Sequence, residues 1–351
     1  MNDKDQITDF LTEEGCDAAF IQKDENVRYI SGFTGSDSYL VLTRDGQYLV
    51  TDSRYTEQAG QEAEGFTVVN HQGKLSETVA RLVHDHHAKR VAVEPVMTYK
   101  MYLAFSELMK DVTFGFCDAD RLRRIKSAEE LRCIAEACRI SDEGFRRTVP
   151  LIQAGRTEAE LRTVLECAML EAGSEGKSFD TIVASGWRSA FPHGTATDKV
   201  VEEGDLITFD FGAIYKGYHS DITRTVAVGQ ISERQRYLYD SVLDCVLFVE
   251  GFMKAGMKAC DVDGKAREFL KEKDLAQYFT HALGHSVGLE IHESPILAAR
   301  DTSVLEAGMT ETIEPGVYIP GTGGVRIEDT VVVGKDGISI LTKFPKTFLK
   351  V

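Results

Sequence analysis

The chain has 351 residues, of which 43% are hydrophobic and 27% charged, so it can bury a large core and is neither disordered nor fibrous. Its 40 Lys and Arg against 56 Asp and Glu give a formal charge of -16, which disfavours nucleic acid as a partner. No stretch approaches the roughly 18 to 20 uninterrupted apolar residues that cross a bilayer, so we also expect no membrane partner.

The cysteines and the N-terminus predict the compartment. The seven cysteines are scattered and form no C-x-x-C pair, which favours reduced thiols over a disulfide framework or a zinc ribbon. Residues 1–6 lead into an acidic amphipathic segment and not into the apolar stretch of a secretory signal. We therefore expect a cytoplasmic protein.

Residues 1–122 are expected to form an α/β domain with a mixed sheet. Arg44-Asp45-Gly46 has the composition of a hairpin turn between two strands. The strands or extended segments are expected at 17–21, 38–43, 47–51, 66–69 and 90–93, and the helices at 55–63, 76–84 and 99–109.

A second domain is expected over residues 123–351. The basic run 121–124 precedes Ser127 and Glu130, a Ser-x-x-Glu capping box that opens a long amphipathic helix. From there the predicted order is two helices and a sheet, twice over. The helices are expected at 128–149, from Thr157, from Ser232 with Gln235, and at 262–273, and the extended regions run to Gly229 and to the end of the chain.

The two predicted sheets resemble each other in sequence. Residues 204–212 align without gaps on residues 308–316, and both read Gly, three variable positions, Thr, an apolar residue, an acid, a variable position and Gly. We infer an internal duplication related by approximate two-fold symmetry.

Each repeat places two acids on a predicted hairpin: Asp210 and Asp221 in the first, and Glu314 and Glu328 in the second. Phe209 and Phe211 flank Asp210, so strand alternation turns its side chain to the opposite face. Four carboxylates that converge in an apolar setting raise each other's pKa unless a cation neutralises them. A centre with two metal ions about 3.5 to 4 Å apart, with one or more imidazole ligands, would do so.

A glycine-punctuated block from His281 to Pro295 supplies the histidines, namely His281, His285 and His292. Its glycines disfavour a helix, and the central Glu of an H-E-x-x-H zinc helix is missing. Phe191-Pro192-His193-Gly194 adds a fourth histidine upstream.

These residues, together with Gly324-Val325-Arg326-Ile327-Glu328-Asp329, strongly resemble the M24 pita-bread metallopeptidases. Within the family, the similarity is greatest to the Xaa-Pro peptidases, prolidase and aminopeptidase P. The resemblance covers the whole chain and implies an α+β protein, in which a creatinase-like α/β N-terminal domain precedes a pita-bread catalytic domain with an internal pseudo-two-fold duplication.

The resemblance also implies ligand roles at two divalent ions. Asp210 would chelate one ion, Asp221 and Glu328 would bridge both, His285 would bind the other, and Glu314 would complete its shell. Mn is favoured by the carboxylate-rich set, with Co or Zn as alternatives. A hydroxide bridging the ions would hydrolyse the N-terminal Xaa-Pro bond of dipeptides or short peptides.

The remaining site residues are expected around the substrate. The resemblance implies that His193 and His292 contact the substrate and stabilise the tetrahedral intermediate, and that Glu314 shuttles a proton to the leaving nitrogen. His281 and Arg326 are expected to bind substrate, with Arg326 also able to orient Glu328. Ser286 stands where many relatives have glycine, which bears on pocket shape.

Two other functions remain as alternatives. A methionine aminopeptidase shares the five ligands, but it usually lacks an N-terminal domain and the His-Glu-x-Pro ending of the histidine block. A non-catalytic pita-bread protein that binds peptides typically loses ligands. Relatives imply a homodimer in which the N-terminal domain helps to wall the active site, and the role of Arg54 in that wall is left open.

Overall fold

The computed structural model describes residues 4–351, and in it the chain divides after Arg123 into two compact units. Residues 1–3 of the N-terminal segment interpreted above lie outside the described residues.

The first unit is built on one six-stranded sheet with the order β4-β3-β2-β1-β5-β6. Its strands are β1 (Ala18–Ile21), β2 (Tyr39–Thr43), β3 (Gln47–Thr51), β4 (Thr67–Asn70), β5 (Arg90–Val93) and β6 (Thr113–Phe116). Its helices are α1 (Lys4–Glu13), α2 (Asp24–Ser31), α3 (Thr56–Glu62), α4 (Leu75–Asp85), α5 (Tyr99–Leu108) and a 3-10 helix (Ala119–Arg123). The pairing of β1 is antiparallel with β2 and parallel with β5, so the sheet is mixed, as the sequence predicts.

Four elements of this unit were missing from the prediction, namely α1, α2, β6 and the 3-10 helix. For α2 and β6 the reason is physical. Helix α2 has only eight residues, and its N-cap, Lys23, makes no side-chain capping hydrogen bond, so it carries no start signal. Its end is set by Gly32, which adopts the left-handed conformation. Strand β6 exists because it pairs in parallel with β5, a contact that local sequence does not encode.

The second unit contains four long helices: α6 (Ala128–Thr148), α7 (Glu158–Glu171), α8 (Glu233–Phe252) and α9 (Ala259–Glu272). Capping boxes open the first three, with Ser127, Thr157 and Ser232 as N-caps, as the sequence predicts. Short 3-10 helices lie at Val149–Leu151, Gly186–Ala190 and Ala276–Tyr278. Within residues 4–351, none of the helices has the length and apolar character needed to span a membrane.

The strands of the second unit form several small sheets, of which the largest has the order β19-β11-β8-β7 and another the order β14-β17-β18. The strands are β7 (Ile182–Ser185), β8 (Leu206–Phe211), β9 (Ile214–Tyr215), β10 (Tyr218–His219), β11 (Ile222–Ala227), β12 (Gly284–Ser286), β13 (Glu293–Leu297), β14 (Thr310–Ile313), β15 (Gly316–Ile319), β16 (Gly323–Arg326), β17 (Asp329–Val333), β18 (Ile338–Ile340) and β19 (Leu349–Lys350).

The predicted duplication is visible in the strand order. In the first repeat, β8 and β11 pair antiparallel and enclose the hairpin β9–β10. In the second, β14 and β17 pair antiparallel and enclose the hairpin β15–β16. Two helices precede each of these groups. The aligned segments therefore lie on equivalent elements.

The core fixes which way the first acid points. Phe209 and Phe211 are fully buried and pack against the ring of Phe145 on α6, at centroid distances of 5.3 and 5.1 Å. Asp210, between them on β8, lies on the opposite face, which lines a cavity.

Candidate metal centre

Strand ends and connections bring the five expected ligands to one cavity. Asp210 lies in β8, Asp221 precedes β11, His285 lies in β12, Glu314 follows β14, and Glu328 joins β16 to β17. All five line the same cavity, which has a volume of about 480 Å³. The two repeats supply two acids each, and corresponding acids of the two repeats are more than 100 positions apart in the chain.

The arrangement of oxygen and nitrogen atoms fits divalent cations. His285 Nε2 lies 3.5 Å from Asp221 Oδ2 and 3.5 Å from Glu314 Oε1. One potential ligand atom each from Asp221, His285 and Glu328 lie within 4.8 Å of one another. Within residues 4–351, Asp210 Oδ1, Asp221 Oδ1 and Glu328 Oε1 are buried without a hydrogen-bond partner. Such oxygens, with one imidazole, are a donor set that divalent metal ions accept.

The acids perturb one another strongly. Burial, followed by the neighbouring Glu328, Asp210 and Glu314, raises the pKa of Asp221 well above its ordinary value. Burial, followed by the neighbouring Glu314 and Asp210, also raises the pKa of Glu328 well above its ordinary value. Burial also raises the pKa of Glu314 to about 8, with Arg326 opposing the shift. A cation between the carboxylates would offset both burial and the repulsion between the acids, because it favours the charged forms.

His285 is oriented for a ligand role. Its Nδ1 lies 3.1 Å from the carbonyl oxygen of Ser286, and its backbone N–H donates to Thr312 Oγ1 at 3.0 Å. A proton on Nδ1 leaves Nε2 free to face the acids. Burial, and then His292, lower the pKa of His285 to about 4, which keeps the ring in the neutral form that a metal requires.

Arg326 is buried and its guanidinium organises two of the acids. Nη2 donates to Asp210 Oδ2 at 2.6 Å, and Nε donates to Thr223 Oγ1 at 3.1 Å. The Thr223 hydroxyl in turn donates to Glu328 Oε2 at 2.8 Å. Arg326 therefore holds Asp210 directly and reaches Glu328, its expected partner, through Thr223.

Tyr318 completes this network and was not anticipated. Its hydroxyl accepts from Arg326 Nη1 at 2.7 Å and lies 2.9 Å from His281 Nε2. Since His281 Nδ1 faces the carbonyl oxygen of Ala282 at 2.8 Å, Nε2 is the acceptor for the Tyr318 hydroxyl. The duplication gave no signal for Tyr318, because the aligned position in the first repeat is Ile214. Thr312, whose hydroxyl accepts from the backbone N–H of His285, is by contrast the threonine that both repeats share.

The three histidines expected to contact the substrate also line the cavity. His193 and His292 both line it and are solvent-exposed, and His281 lines it as well. The ring of His292 lies 4.4 Å from that of His285, edge to face. The cavity also has an apolar wall, which the sequence did not indicate. It consists of Phe179, Ile182, Pro192 and Ile296. Apolar residues carry no chemical signature, so only their position reveals this role.

Arg54, whose role was left open, belongs to the first unit. Its guanidinium is exposed and pairs with Asp52 at 2.7 Å and with Asp37 at 3.1 Å.

Comparison with known proteins identifies the class that this fold and site define. Residues 132–335 match Metallopeptidase family M24, and residues 4–125 match the Creatinase/Prolidase N-terminal domain. The chain therefore belongs to metallopeptidase family M24, as its motifs predict, and this membership implies divalent metal cofactors.

Individual relatives match over their whole length. The chain is 40% identical over 348 residues to the Xaa-Pro dipeptidase of Pyrococcus furiosus, which covers 98% of this chain and 99% of that one. The solved Xaa-Pro dipeptidase from Bacillus anthracis has a TM-score of 0.96 and 40% identity, with 99% of both chains covered. The X-Pro aminopeptidase from Thermotoga maritima has a TM-score of 0.89 and 40% identity, with 97% of this chain and 99% of that chain covered.

Proposed function

We propose that the protein hydrolyses the Xaa-Pro bond at the N-terminus of dipeptides or short peptides. The observation that carries this proposal is the convergence of four carboxylates and one imidazole in a single cavity with an apolar wall. The proposal is supported by the full-length similarity to the Xaa-Pro dipeptidases named above.

Two divalent ions would be held by Asp210, Asp221, His285, Glu314 and Glu328. Manganese suits this set, because hard carboxylate oxygens outnumber the single imidazole and no thiolate is present. Cobalt and zinc are the alternatives. When bound, the ions would lower the pKa of a water molecule and polarise the scissile carbonyl.

The chain's own groups would bind the substrate and move protons. We assign to Glu314 the transfer of a proton to the prolyl nitrogen as the peptide bond breaks, since its carboxylate faces the cavity. His193 and His292, exposed on the cavity wall, would donate hydrogen bonds to the oxygen that gains charge at the scissile carbonyl. His281 would be held in place for the substrate by Tyr318.

The apolar wall would account for the preference for proline. The nitrogen of an Xaa-Pro bond carries no hydrogen. A peptidase that relies on a hydrogen bond from this N–H therefore cannot use an Xaa-Pro peptide as its substrate. Phe179, Ile182, Pro192 and Ile296 instead offer an apolar surface on which a pyrrolidine ring can be buried.

The test is a substrate comparison with chelated protein that has been reloaded with Mn²⁺. We expect cleavage of Ala-Pro and no cleavage of Met-Ala, and a preference for Met-Ala would overturn the proposal in favour of a methionine aminopeptidase. Absence of hydrolysis with every substrate and metal would indicate a non-catalytic protein. Ala-Pro-Ala, measured beside Ala-Pro, tells a dipeptidase from an aminopeptidase.

We also propose a cytoplasmic homodimer. The seven cysteines all lie within residues 4–351 and none of them forms a disulfide, which supports a reducing compartment. Light scattering after size exclusion would measure the mass, and a monomer or a tetramer would contradict the dimer. Fractionation of the cells of origin would check the compartment, and recovery outside the cytoplasm would contradict it.

A further inference from the structure

A buried lysine lies behind the candidate metal centre. Lys126 falls between the two family matches, at residues 4–125 and 132–335, and its side chain is 1% exposed. Its Nζ donates to Glu293 Oε2 at 2.9 Å, to Ser286 Oγ at 3.2 Å and to the carbonyl oxygen of Arg124 at 3.3 Å. An ammonium has three N–H groups, so these three acceptors satisfy it fully and fix its orientation.

The two side chains that Lys126 contacts form one cross-strand pair. Ser286 on β12 lies opposite Glu293 on β13, and the register of the two strands shifts between His285 and Ser286. An irregularity of this kind changes the direction of the side chains beside it. Lys126 therefore binds both strands next to the register shift that sets the direction of the His285 side chain.

Ser286 connects Lys126 to His285. The Ser286 carbonyl oxygen lies 3.1 Å from His285 Nδ1, while the Ser286 hydroxyl receives the hydrogen bond from Lys126. The partner of the second ring nitrogen fixes the tautomer and the orientation of a ligating histidine. A displaced Ser286 would consequently turn the imidazole away from Asp221 and Glu314.

Glu293 connects Lys126 to His292. Glu293 Oε1 accepts from the backbone N–H of Glu290 at 3.2 Å, and a side chain at Gly288 would place its Cβ 2.6 Å from a Glu293 oxygen. The connection between the two strands is thus folded around the Glu293 carboxylate. His292, the neighbour of Glu293 in sequence, is held on that connection with its ring 4.4 Å from that of His285.

We infer that Lys126 is a positioning residue that sets the His285 and His292 imidazoles through the Ser286–Glu293 pair. The inference rests on the proposed function, in which His285 binds metal and His292 contacts substrate. Lys126 touches neither ring, so it acts on both through the backbone and side chains of its partners.

A matched control separates positioning from ordinary stabilisation. Lys199 Nζ has the same kinds of partner, namely Asp205 Oδ2 at 2.8 Å, Ser185 Oγ at 3.0 Å and the carbonyl oxygen of Val200 at 3.0 Å. It lies in the same compact unit but does not line the cavity. Lys199→Met therefore removes an equivalent network at a site without a role in the proposed chemistry.

The experiment measures the affinity of the chelated full-length protein for Mn²⁺ by calorimetry, together with its melting temperature and the Ala-Pro kinetics. Lys126→Met should weaken Mn²⁺ binding about tenfold or more, as losses of outer hydrogen-bond partners do, and lower kcat/KM when Mn²⁺ is saturating. Lys126→Arg should recover part of both. Lys199→Met should lower the melting temperature yet leave Mn²⁺ affinity within about twofold, because the two networks share no partner.

His285→Ala separates a failure of the proposed ligand set from a failure of the positioning role of Lys126. If His285→Ala binds Mn²⁺ like the wild type, the proposed ligand set fails. If His285→Ala loses Mn²⁺ while Lys126→Met keeps both wild-type affinity and Ala-Pro kinetics, the positioning role alone is overturned. Should Lys126→Met fail to fold, Lys126→Arg and Ser286→Ala carry the test, and wild-type Mn²⁺ affinity in both overturns the inference.

Discussion

Glu311 on β14 is a buried glutamate whose two carboxylate oxygens have no hydrogen-bond partner among residues 4–351. Burial raises the pKa of Glu311 well above its ordinary value of 4.5, and the nearby Lys126 only partly opposes this shift. The folded protein therefore holds the Glu311 proton at pH values where the unfolded chain has released it. We expect Glu311→Gln, which removes the ionisable group at nearly constant shape, to stabilise the protein increasingly as pH rises.

The sign and size of the effect follow from proton linkage. Because the pKa is raised in the folded state, the stability associated with the Glu311 proton is fully present below pH 4.5 and is lost as pH rises. The free energy of unfolding of the wild type should fall by about 1.4 kcal/mol for each pH unit between pH 4.5 and the raised pKa, relative to Glu311→Gln. Glu311→Leu should add about 1 to 3 kcal/mol at every pH, since it also removes a carboxyl group buried without a partner.

Differential scanning calorimetry of the chelated protein between pH 4 and pH 8 measures these differences without a contribution from metal binding. Residues 124–351 form the unit that contains Glu311, and in a unit of that size about 1 kcal/mol corresponds to roughly 2 to 4 °C in melting temperature. Glu268→Gln, at an exposed position of α9, is the control for loss of one surface carboxylate. If the difference in melting temperature between the wild type and Glu311→Gln stayed constant across this pH range, the reasoning would be refuted, because Glu311 would then ionise as it does in the unfolded chain.

Three further substitutions test the centre and its supports. Asp221→Asn should abolish Mn²⁺ binding in calorimetry and Ala-Pro hydrolysis together, because it removes a proposed bridging carboxylate from the four-acid cluster; retention of either would count against the ligand set. Phe179→Ala should raise KM for Ala-Pro with little change in kcat, since it strips the apolar wall; an unchanged KM would exclude Phe179 from the proline pocket. Phe145→Ala should lower the free energy of unfolding by about 3 to 5 kcal/mol, because its ring is fully buried against Phe209 and Phe211; a thermal shift equivalent to less than about 1 kcal/mol would contradict the packing.

The five expected ligands line one cavity, and several of the signals that pointed to them are local in sequence. Alternation along a strand sets the direction of Asp210 when its neighbours Phe209 and Phe211 are apolar. The repeated pattern in the two halves pairs Asp210 with Glu314, and the glycine-punctuated block offers three histidines, of which the family resemblance selects His285. Capping boxes at the starts of α6, α7 and α8 likewise marked helix boundaries within a few residues.

Arg326 was expected to act on Glu328, but most contacts of the supporting network could not be predicted, because they join residues that are distant in sequence. Tyr318 meets His281 across 37 positions, and Arg326 meets Asp210 across 116 positions. Tyrosine and arginine occur in many roles, so their residue type alone indicates none of these contacts. The apolar wall with Phe179 is invisible for the same reason, since an apolar residue in sequence predicts core as readily as pocket.

The sequence by itself thus determined the class of fold, the duplication and the acids and histidines that line the cavity, because strand alternation, capping and repeated motifs act over a few neighbouring residues. Only the tertiary structure decided that Lys126 reaches Glu293 across 167 positions and that Glu311 is buried without a partner. Hydrogen bonding and burial of this kind depend on which segments pack together, and that packing is a property of the whole folded chain.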